Sequence, residues 1–236
     1  MRALIVFAYP ETGSFHGALL QEARAALVED GHEVKVSDLY ALGFDPVSDR
    51  RNFTTRADAS RLDLQNEEAH ASRQGGYVPS LRAEMDKLAW CDFLILQFPI
   101  WWLGPPAILK GWIDRVFAVG QAYGGGRWFD EGMLNGKRAM CVVTTGGPSS
   151  VYARDGVYAP MAEILLPLHL GALGFVGFTV LEPLAFYGPG RWMSARERAD
   201  ALARYRDRLR NLDSAPQVRQ PTAQTLRRHL NRVTRS

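Results

Sequence analysis

Residues 92–112 read DFLILQFPIWWLGPPAILKGW, a stretch that contains a strand, a loop and a helix in succession. Residues 92–97 form an apolar run, which is typical of a strand covered on both faces of a parallel sheet. The prolines and the glycine of residues 98–106 end that strand, and a proline suits the first turn of a helix over residues 106–119. This order predicts one building unit of an α/β protein.

Further strands and helices are predicted on both sides of this stretch. The apolar runs of residues 3–8 (ALIVFA) and 138–144 (RAMCVVT) predict two more buried strands, and shorter strands are predicted over residues 33–38 and 178–181. Helices are predicted over residues 15–29, 81–88, 160–173 and 194–212, the last with a capping box of Ser194 and Glu197. Strands that alternate with helices predict a parallel sheet with right-handed crossovers. The polar residues 43–77 are too many for a simple connection, which indicates a functional or interfacial segment.

The charge of the chain is unevenly distributed. The 236 residues carry a formal net charge of +3, but residues 214–236 hold five arginines and no acidic residue. Without them, residues 1–213 have 23 basic and 25 acidic residues, a net charge of −2. We therefore predict one domain over residues 1–213 and a flexible, Arg-rich tail over residues 214–236, in which residues 226–233 are a candidate short helix. No basic face indicates a nucleic-acid partner.

The cysteines and the hydropathy bear on location. Cys91 and Cys141 lie in apolar surroundings and are expected in the core, since two cysteines do not make a disulfide framework. A strand follows Met1 almost directly, without a signal peptide, and no apolar segment is long enough to span a bilayer. A cytoplasmic protein without stable insertion into a membrane is expected. No Cys, His or Asp cluster has the spacing of metal ligands, so no metal is predicted.

Three loops after predicted strands are candidates for a ligand site, because parallel sheets bind ligands beyond the carboxyl ends of their strands. Residues 9–16 (YPETGSFH) open a helix whose N-terminus suits a phosphate, or they form an ordinary capped loop. Residues 98–106 place two tryptophans beside prolines, which suits a flat ring, the core or a dimer contact. Residues 144–148 (TTGGP) let backbone N–H groups approach a ring, or form a plain turn. Their position at one sheet edge favours a ligand site.

At these residues the chain resembles the NAD(P)H:quinone oxidoreductases of the DT-diaphorase type. The similar segments span about residues 3–210 and include the run 106–112 (PAILKGW) and the loop 144–147 (TTGG). The resemblance implies a flavodoxin-like three-layer fold, with a central five-stranded parallel sheet in the order 2-1-3-4-5 and helices on both faces. It also implies a homodimer with the active site at the interface and bound FAD, with FMN less expected. The implied activity is ping-pong, two-electron reduction of quinones, or of azo or nitroaromatic compounds, by NADPH or NADH.

The resemblance also implies roles for individual residues. The cofactor would be bound by Ser14, Phe15 and His16 at the phosphates, by Pro99, Ile100, Trp101, Trp102 and Leu103 along the isoalloxazine, by Thr144, Thr145, Gly146 and Gly147 at its pyrimidine edge, and by Asp114 near the adenine. The catalytic groups would be Tyr152, Tyr158 and the N–H groups of Gly146 and Gly147, which face the flavin N1–C2=O edge. Tyr123, Phe175, Trp102 and Arg191 would line the substrate pocket.

Five positions differ from the family pattern, and one of them is His16, where the family usually has asparagine. Tyr158 and Arg191 replace pocket histidines, Gly125 replaces a pocket tyrosine, and Tyr9 replaces a histidine in the first loop. Packing alone is the alternative role for Tyr158, and a solvated surface position is the alternative for Arg191. No residue that reads the ribose or its phosphate can be placed, so the sequence leaves the choice between NADH and NADPH open.

Two other functions suit a flavodoxin-like protein. One is a regulatory flavoprotein subunit of a potassium-efflux system, and the other is an electron carrier like flavodoxin. The long segment of residues 43–77 resembles the free-standing enzymes more than the ancillary subunits, and the Trp-rich loop suits a stacked substrate better than a carrier. The sequence therefore predicts an enzyme.

Overall fold

A computed structural model describes residues 1–233, in which a six-stranded parallel sheet lies between two layers of helices. The strands are β1 (Arg2–Phe7), β2 (Glu33–Asp38), β3 (Phe93–Pro99), β4 (Arg138–Thr145), β5 (Thr179–Val180) and β6 (Leu184–Tyr187). The helices are α1 (Phe15–Glu29), α2 (Leu64–Gln74), α3 (Pro79–Trp90), α4 (Ala107–Val116), α5 (Met161–Ile164), α6 (Ala195–Arg210) and α7 (Ala223–Val233), and a π-helical segment covers Pro167–Gly174.

The strand order β2-β1-β3-β4-β5 confirms the predicted topology, and the paired strands run parallel. The fifth position differs from the prediction of one strand over residues 178–181. β5 pairs with Arg138 and Ala139 at the start of β4, whereas β6 pairs with the second half of β4. Pro183 lies between the two short strands and has no N–H for the ladder, which explains why they are separate.

The sheet separates two apolar cores. Alternate residues of a strand point to opposite faces, so Leu94 and Leu96 of β3 pack in one core while Phe93 and Ile95 pack in the other. Helices α3 and α4 cover the first face, and α1 and α6 cover the second. Cys91 and Cys141 are free and buried, as the sequence predicts.

Residues 43–77 fold against α4 rather than extending into solvent. Arg115 of α4 is buried and donates from Nε to Asn52 Oδ1 at 2.8 Å. A Cβ added at Gly111 would lie 2.2 Å from the carbonyl oxygen of Pro46, so α4 and this segment touch through backbone. The segment thus adds α2 beside the loop that follows α4, where Val119 N–H donates to Glu68 Oε2 at 2.9 Å.

The C-terminal region differs from the predicted flexible tail. Residues 215–222, here called the C-terminal strap, run along β5: Val218 N–H donates to the Val180 carbonyl at 2.8 Å, and Leu181 pairs with Gln217. Helix α7 begins three residues before the predicted short helix, and the Ala223 N–H donates to Asp130 Oδ1 at 2.7 Å. Polar composition predicted mobility, but the unpaired edge of the sheet supplies partners for this backbone. Residues 234–236 of the predicted tail lie outside the described residues.

Within residues 1–233, none of the helices combines the length and the apolar character needed to cross a membrane.

Candidate active site

A cavity of about 530 Å³ opens at the carboxyl ends of the strands. It lies between the loops that follow β1, β3, β4 and β6, and its volume is within the range of small-molecule sites. The cavity is lined by Tyr9, Ser14, Phe15, His16, Pro99, Ile100, Trp101, Thr144, Thr145, Gly146, Gly188, Pro189, Gly190 and Arg191. The three loops singled out in the sequence therefore meet at one site.

The first wall is the N-terminus of α1. The Ser14 hydroxyl donates to the Glu11 carbonyl at 2.6 Å and accepts the Gly17 N–H at 3.3 Å. Phe15 and His16 form the first turn, where an α-helix offers no carbonyl partner for the backbone N–H groups. These free N–H groups and the helix dipole suit an anionic group such as a phosphate.

His16 connects this wall to the floor of the cavity. Its Nε2 lies 2.7 Å from Thr144 Oγ1, and its carbonyl accepts the Gln97 side-chain amide at 2.8 Å. The ring is only 4% exposed, and burial lowers the pKa of His16 to about 3, so the ring is neutral near pH 7. Its Nδ1 is buried and has no hydrogen-bond partner among residues 1–233. The Tyr9 ring packs against the imidazole at a tilt of 32°, with ring centroids 5.1 Å apart.

The second wall is a tight turn that we call the Trp hairpin, residues 101–104. Trp101 and Gly104 exchange two backbone hydrogen bonds of 2.9 and 3.0 Å. Between them, Trp102 and Leu103 have φ values of 52° and 57°, a left-handed conformation that is uncommon for side chains of this size. Trp101 lines the cavity, whereas the side chain of Trp102 at the tip is fully exposed.

The third wall is the glycine loop after β4. Gly146 lines the cavity, and a Cβ placed there would meet nothing within 4 Å, so its backbone can be approached closely. The Thr145 hydroxyl donates to the Gly147 carbonyl at 2.8 Å and fixes the loop. Behind Gly147, the ring of Tyr152 packs between those of Tyr158, at 5.4 Å, and Tyr187, at 5.6 Å.

The structure brings together most of the predicted cofactor residues but not all of them. Asp114 lies on α4 outside the cavity, where its Oδ1 pairs with Lys110 Nζ at 2.7 Å. Leu103, Gly147 and Tyr152 adjoin the cavity without lining it. Leu103, Gly147 and Tyr152 lie in or next to loops that carry lining residues, whereas Asp114 does not. The predicted roles of all four residues remain predictions.

The predicted substrate residues lie in two separate places. Arg191 lines the cavity itself, and Trp102 stands at the tip of the Trp hairpin. Tyr123 and Phe175 instead contact each other, with ring centroids 6.0 Å apart, in a cluster that also includes Phe129. Within one chain, the two groups do not form a common pocket.

Sequence reasoning missed the fourth wall of the cavity. Gly188, Pro189 and Gly190 line it directly after β6, and the Gly188 N–H donates to the Thr145 carbonyl at 2.9 Å. The four residues of β6 are too few for a clear periodic pattern, which is why the strand was not predicted. The sequence Gly-Pro-Gly after a short apolar run was the available signal. Among the described residues, no group of His, Cys, Asp or Glu side chains could hold a metal ion.

Comparison with known families and proteins extends these observations. A family described as having a flavodoxin-like fold matches residues 1–211. The chain is 41% identical over 217 residues to NAD(P)H dehydrogenase [quinone] 1 of Cavia porcellus, covering 91% of this chain and 78% of the relative. It is 37% identical to ribosyldihydronicotinamide dehydrogenase [quinone] of Pongo abelii, covering 89% of this chain and 91% of the relative.

A solved structure from Klebsiella pneumoniae, described provisionally as a quinone reductase, shares the fold closely. It superposes with a TM-score of 0.87 at 38% identity, covering 92% of this chain and 87% of the other. The NAD(P)H:quinone oxidoreductase of Methanothermobacter marburgensis superposes with a TM-score of 0.67 at 27% identity, covering 90% and 97%.

Proposed function

The chain belongs to the flavodoxin-like family of NAD(P)H:quinone oxidoreductases, and from this we propose that it is a flavoenzyme that reduces quinones with electrons from a nicotinamide donor. The observation that carries the proposal is the meeting of three distinct walls at one cavity: a free helix N-terminus, an aromatic hairpin and an open glycine loop. A flavin nucleotide has three corresponding parts: a phosphate for the helix N-terminus, a flat ring for the aromatic hairpin and a polar ring edge for the glycine loop. The relatives named above act, by their names, on quinones.

The residues present fit a flavin. Trp101 supplies a flat ring and Ile100 supplies further apolar surface, and the open space at Gly146 lets backbone N–H groups approach a ring edge. The first turn of α1 supplies N–H groups for a phosphate. A bound flavin would supply hydride chemistry, accepting a hydride from the reduced nicotinamide and giving one to the quinone.

The protein's own contribution is orientation and electrostatics. The N–H groups of Gly146 and Gly147 would donate to the polar ring edge, in the manner of an oxyanion hole. Tyr152 is held by two neighbouring rings, which would present its hydroxyl to the same edge with little loss of side-chain entropy on binding. Tyr158 is 45% exposed beside it and would exchange a proton between solvent and the site.

We assign FAD rather than FMN as the flavin, and this choice rests on the resemblance. Arg191 supports it, because a cationic side chain on the cavity in addition to the N–H groups of the α1 N-terminus suits a diphosphate better than a single phosphate. The test is to denature the purified protein and identify the released flavin by chromatography and mass. Released FMN would contradict the assignment while leaving the proposed activity intact.

A homodimer is proposed because one chain does not complete the site. Trp102 is fully exposed and Leu103 is 44% exposed, and both adjoin an apolar groove that includes Tyr40, Pro46 and Ile108. Tyr123 and Phe175 lie away from the flavin cavity of their own chain, so a partner chain would be needed to bring such rings to it. Sedimentation velocity tests this: a monomer at micromolar concentration with full activity would contradict the dimer.

The decisive experiment measures flavin content and turnover together. The purified protein should show the absorption spectrum of a bound flavin and should oxidise NADPH or NADH only when a quinone is added. Initial rates at several fixed donor concentrations should give parallel double-reciprocal lines, because one pocket serves both substrates in turn. A colourless protein that neither FAD nor FMN reconstitutes would overturn the proposal. Slow turnover of a well-loaded protein would favour a carrier or a regulatory subunit.

A further inference from the structure

A second cavity lies on the side of the molecule that carries Tyr123. It has a volume of about 300 Å³ and opens between the end of α2 and the loop that follows α4. Ser72 and Arg73 contribute from α2, and Gly124, Gly125 and Arg127 contribute from the loop. Tyr123 directly precedes this loop, so the cavity adjoins the predicted Tyr123–Phe175 wall of the substrate pocket.

The loop is a tight turn whose tip carries no side chains. Arg127 N–H donates to the Gly124 carbonyl at 3.4 Å, and the φ values of Gly125 and Gly126 are 63° and 70°. These left-handed values favour glycine at both positions. A Cβ at Gly125 or Gly126 would meet nothing within 4 Å, so the turn leaves the opening of the cavity free.

The charged groups on the cavity are both cationic. Arg73 and Arg127 are exposed, and neither guanidinium makes a hydrogen bond or an ion pair with any residue that the structure describes. No carboxylate of the described residues lines this cavity. Arg73 also borders a neighbouring cavity lined by Asp58, Asp63 and Glu67, but all three carboxylates already accept backbone N–H groups.

The nearby Arg227 provides a contrast within the same region. Its guanidinium pairs with Glu131, with Nη1 2.8 Å from Oε1, and its Nη2 donates to the Gly126 carbonyl at 3.3 Å. Arg227 is therefore a structural residue that holds the turn in place. Arg73 and Arg127 have no such internal role. Two guanidinium groups on one cavity, beside backbone without side chains, suit the oxygens of a phosphate group.

We propose that Arg73 and Arg127 bind a phosphate group of a dinucleotide electron donor at this cavity. The inference rests on the proposed function, and it names the class of donor that the site prefers. The relatives do not decide this point, since one is named for NAD(P)H and another for ribosyldihydronicotinamide, a donor without phosphate. The phosphate is either the diphosphate common to both dinucleotides or the 2′-phosphate of NADPH.

The kinetic test compares three donors: NADPH, NADH and dihydronicotinamide riboside. The variants are Arg73→Gln, Arg127→Gln and the double variant, with Arg196→Gln as the matched control, since Arg196 is an exposed arginine on α6, away from both cavities. In each single variant, the ratio of kcat/KM for NADPH to kcat/KM for the riboside should fall about tenfold, mainly through the KM for NADPH. The control should keep the wild-type ratio. Because charge-assisted contacts are screened by salt, 0.5 M NaCl should reduce the difference between wild type and variants.

Each outcome has one meaning. A loss confined to NADPH identifies the 2′-phosphate, and an equal loss for NADPH and NADH identifies the diphosphate. An unchanged ratio for both dinucleotides in the double variant overturns the inference. If wild-type protein turns over no donor, the proposed function fails, and calorimetric titration with NADP⁺ and NAD⁺ decides the inference separately. Binding to wild type that is weakened about tenfold in the double variant supports it, and no binding to wild type overturns it.

Discussion

At the scale of single residues, His16 combines almost complete burial with a position on the cavity. Its Nε2 contacts the Thr144 hydroxyl, while Nδ1 has no partner among the described residues. Because the pKa of His16 is about 3 in the folded protein, its imidazole is neutral there near pH 7. In the unfolded chain the same imidazole titrates near its ordinary pKa. His169, on the π-helical segment, is also buried, and burial lowers its pKa to about 4.

This burial predicts a loss of stability in mild acid. Below about pH 6.5 the unfolded chain binds protons at both histidines while the folded chain does not, so the free energy of unfolding falls as the pH falls. Between pH 7 and pH 5, each histidine should lower the free energy of unfolding by about 2 kcal/mol. Urea unfolding of the flavin-loaded protein at pH 7, 6 and 5 measures this. In the His16→Asn variant, the decrease in unfolding free energy from pH 7 to pH 5 should be roughly half that of wild type. The control variant His229→Gln, on the exposed face of α7, should keep the wild-type decrease. Equal slopes in wild type and His16→Asn would contradict the prediction.

The cavity residues show what a sequence can and cannot convey about a site. Residues 14–16, 99–101 and 144–146 were predictable because each follows a strand with a clear apolar pattern. The place of Tyr123 and Phe175 was not predictable from spacing, because the 51 positions between them carry no information about which cavity either ring faces. Gly188 and Pro189 were missed because the strand before them has only four residues.

At the scale of secondary-structure elements, the contact between α4 and the segment of residues 43–77 is unusually close. Gly111 lies directly against the backbone of Pro46, and Arg115 one turn later binds Asn52 and the Asp45 carbonyl. The PAILKGW run of the sequence thus places a glycine where a helix must meet another backbone. This helix also follows the Trp hairpin, so its position sets that of the second cavity wall.

We expect Gly111→Ala to destabilise the protein although alanine is the better helix former. The added Cβ would approach the Pro46 carbonyl oxygen to 2.2 Å, which must separate α4 from the segment and cost about 2–3 kcal/mol. The matched control is Gly171→Ala, where a Cβ meets nothing within 4 Å and helix propensity should leave stability equal or higher by up to about 1 kcal/mol. Thermal unfolding of both variants measures the difference in stability between them. Similar melting temperatures would mean that the contact is easily relaxed.

Long periodic elements were the most predictable part of the fold. The helical spacing of apolar residues predicts α1 and α6, and the apolar runs predict β1, β3 and β4; the structure contains all five elements. The predicted capping box of Ser194 and Glu197 is also formed. The C-terminal strap was missed because its stability comes from a distant edge strand rather than from its own composition. Local propensity cannot report such a partner.

At the scale of the whole molecule, the strap covers the sheet edge at β5. Its backbone pairs with the end of β5 and with the residues that follow it: Val218 N–H donates to the Val180 carbonyl at 2.8 Å, and Glu182 N–H donates to the Pro216 carbonyl at 2.8 Å. Helix α7 then contacts the segment around Asp130 and Glu131, and Arg227 reaches the glycine turn. The terminal residues thereby connect the open sheet edge with the second cavity.

Removal of residues 214–236 should lower stability and also promote aggregation. The deletion exposes an unpaired strand edge and buried Leu181, so a loss of about 2–3 kcal/mol and a fall in melting temperature of roughly 5–10 °C are expected. The matched variant Arg227→Gln loses the ion pair to Glu131 but keeps the strap, and it should melt within about 2 °C of wild type. Differential scanning fluorimetry with light scattering tests both. An unchanged melting temperature after the deletion would mean that residues 214–236 do not stabilise the fold.

The bridge between Leu181 and Gln217 has a consequence for biosynthesis. Strands β1 to β6 precede the C-terminal strap in the chain, so during synthesis they emerge and pair before the strap does. Until the strap follows, the edge beside β5 has no partner from its own chain. A neighbouring nascent chain or a chaperone is therefore expected to have an interval in which it can occupy that edge first.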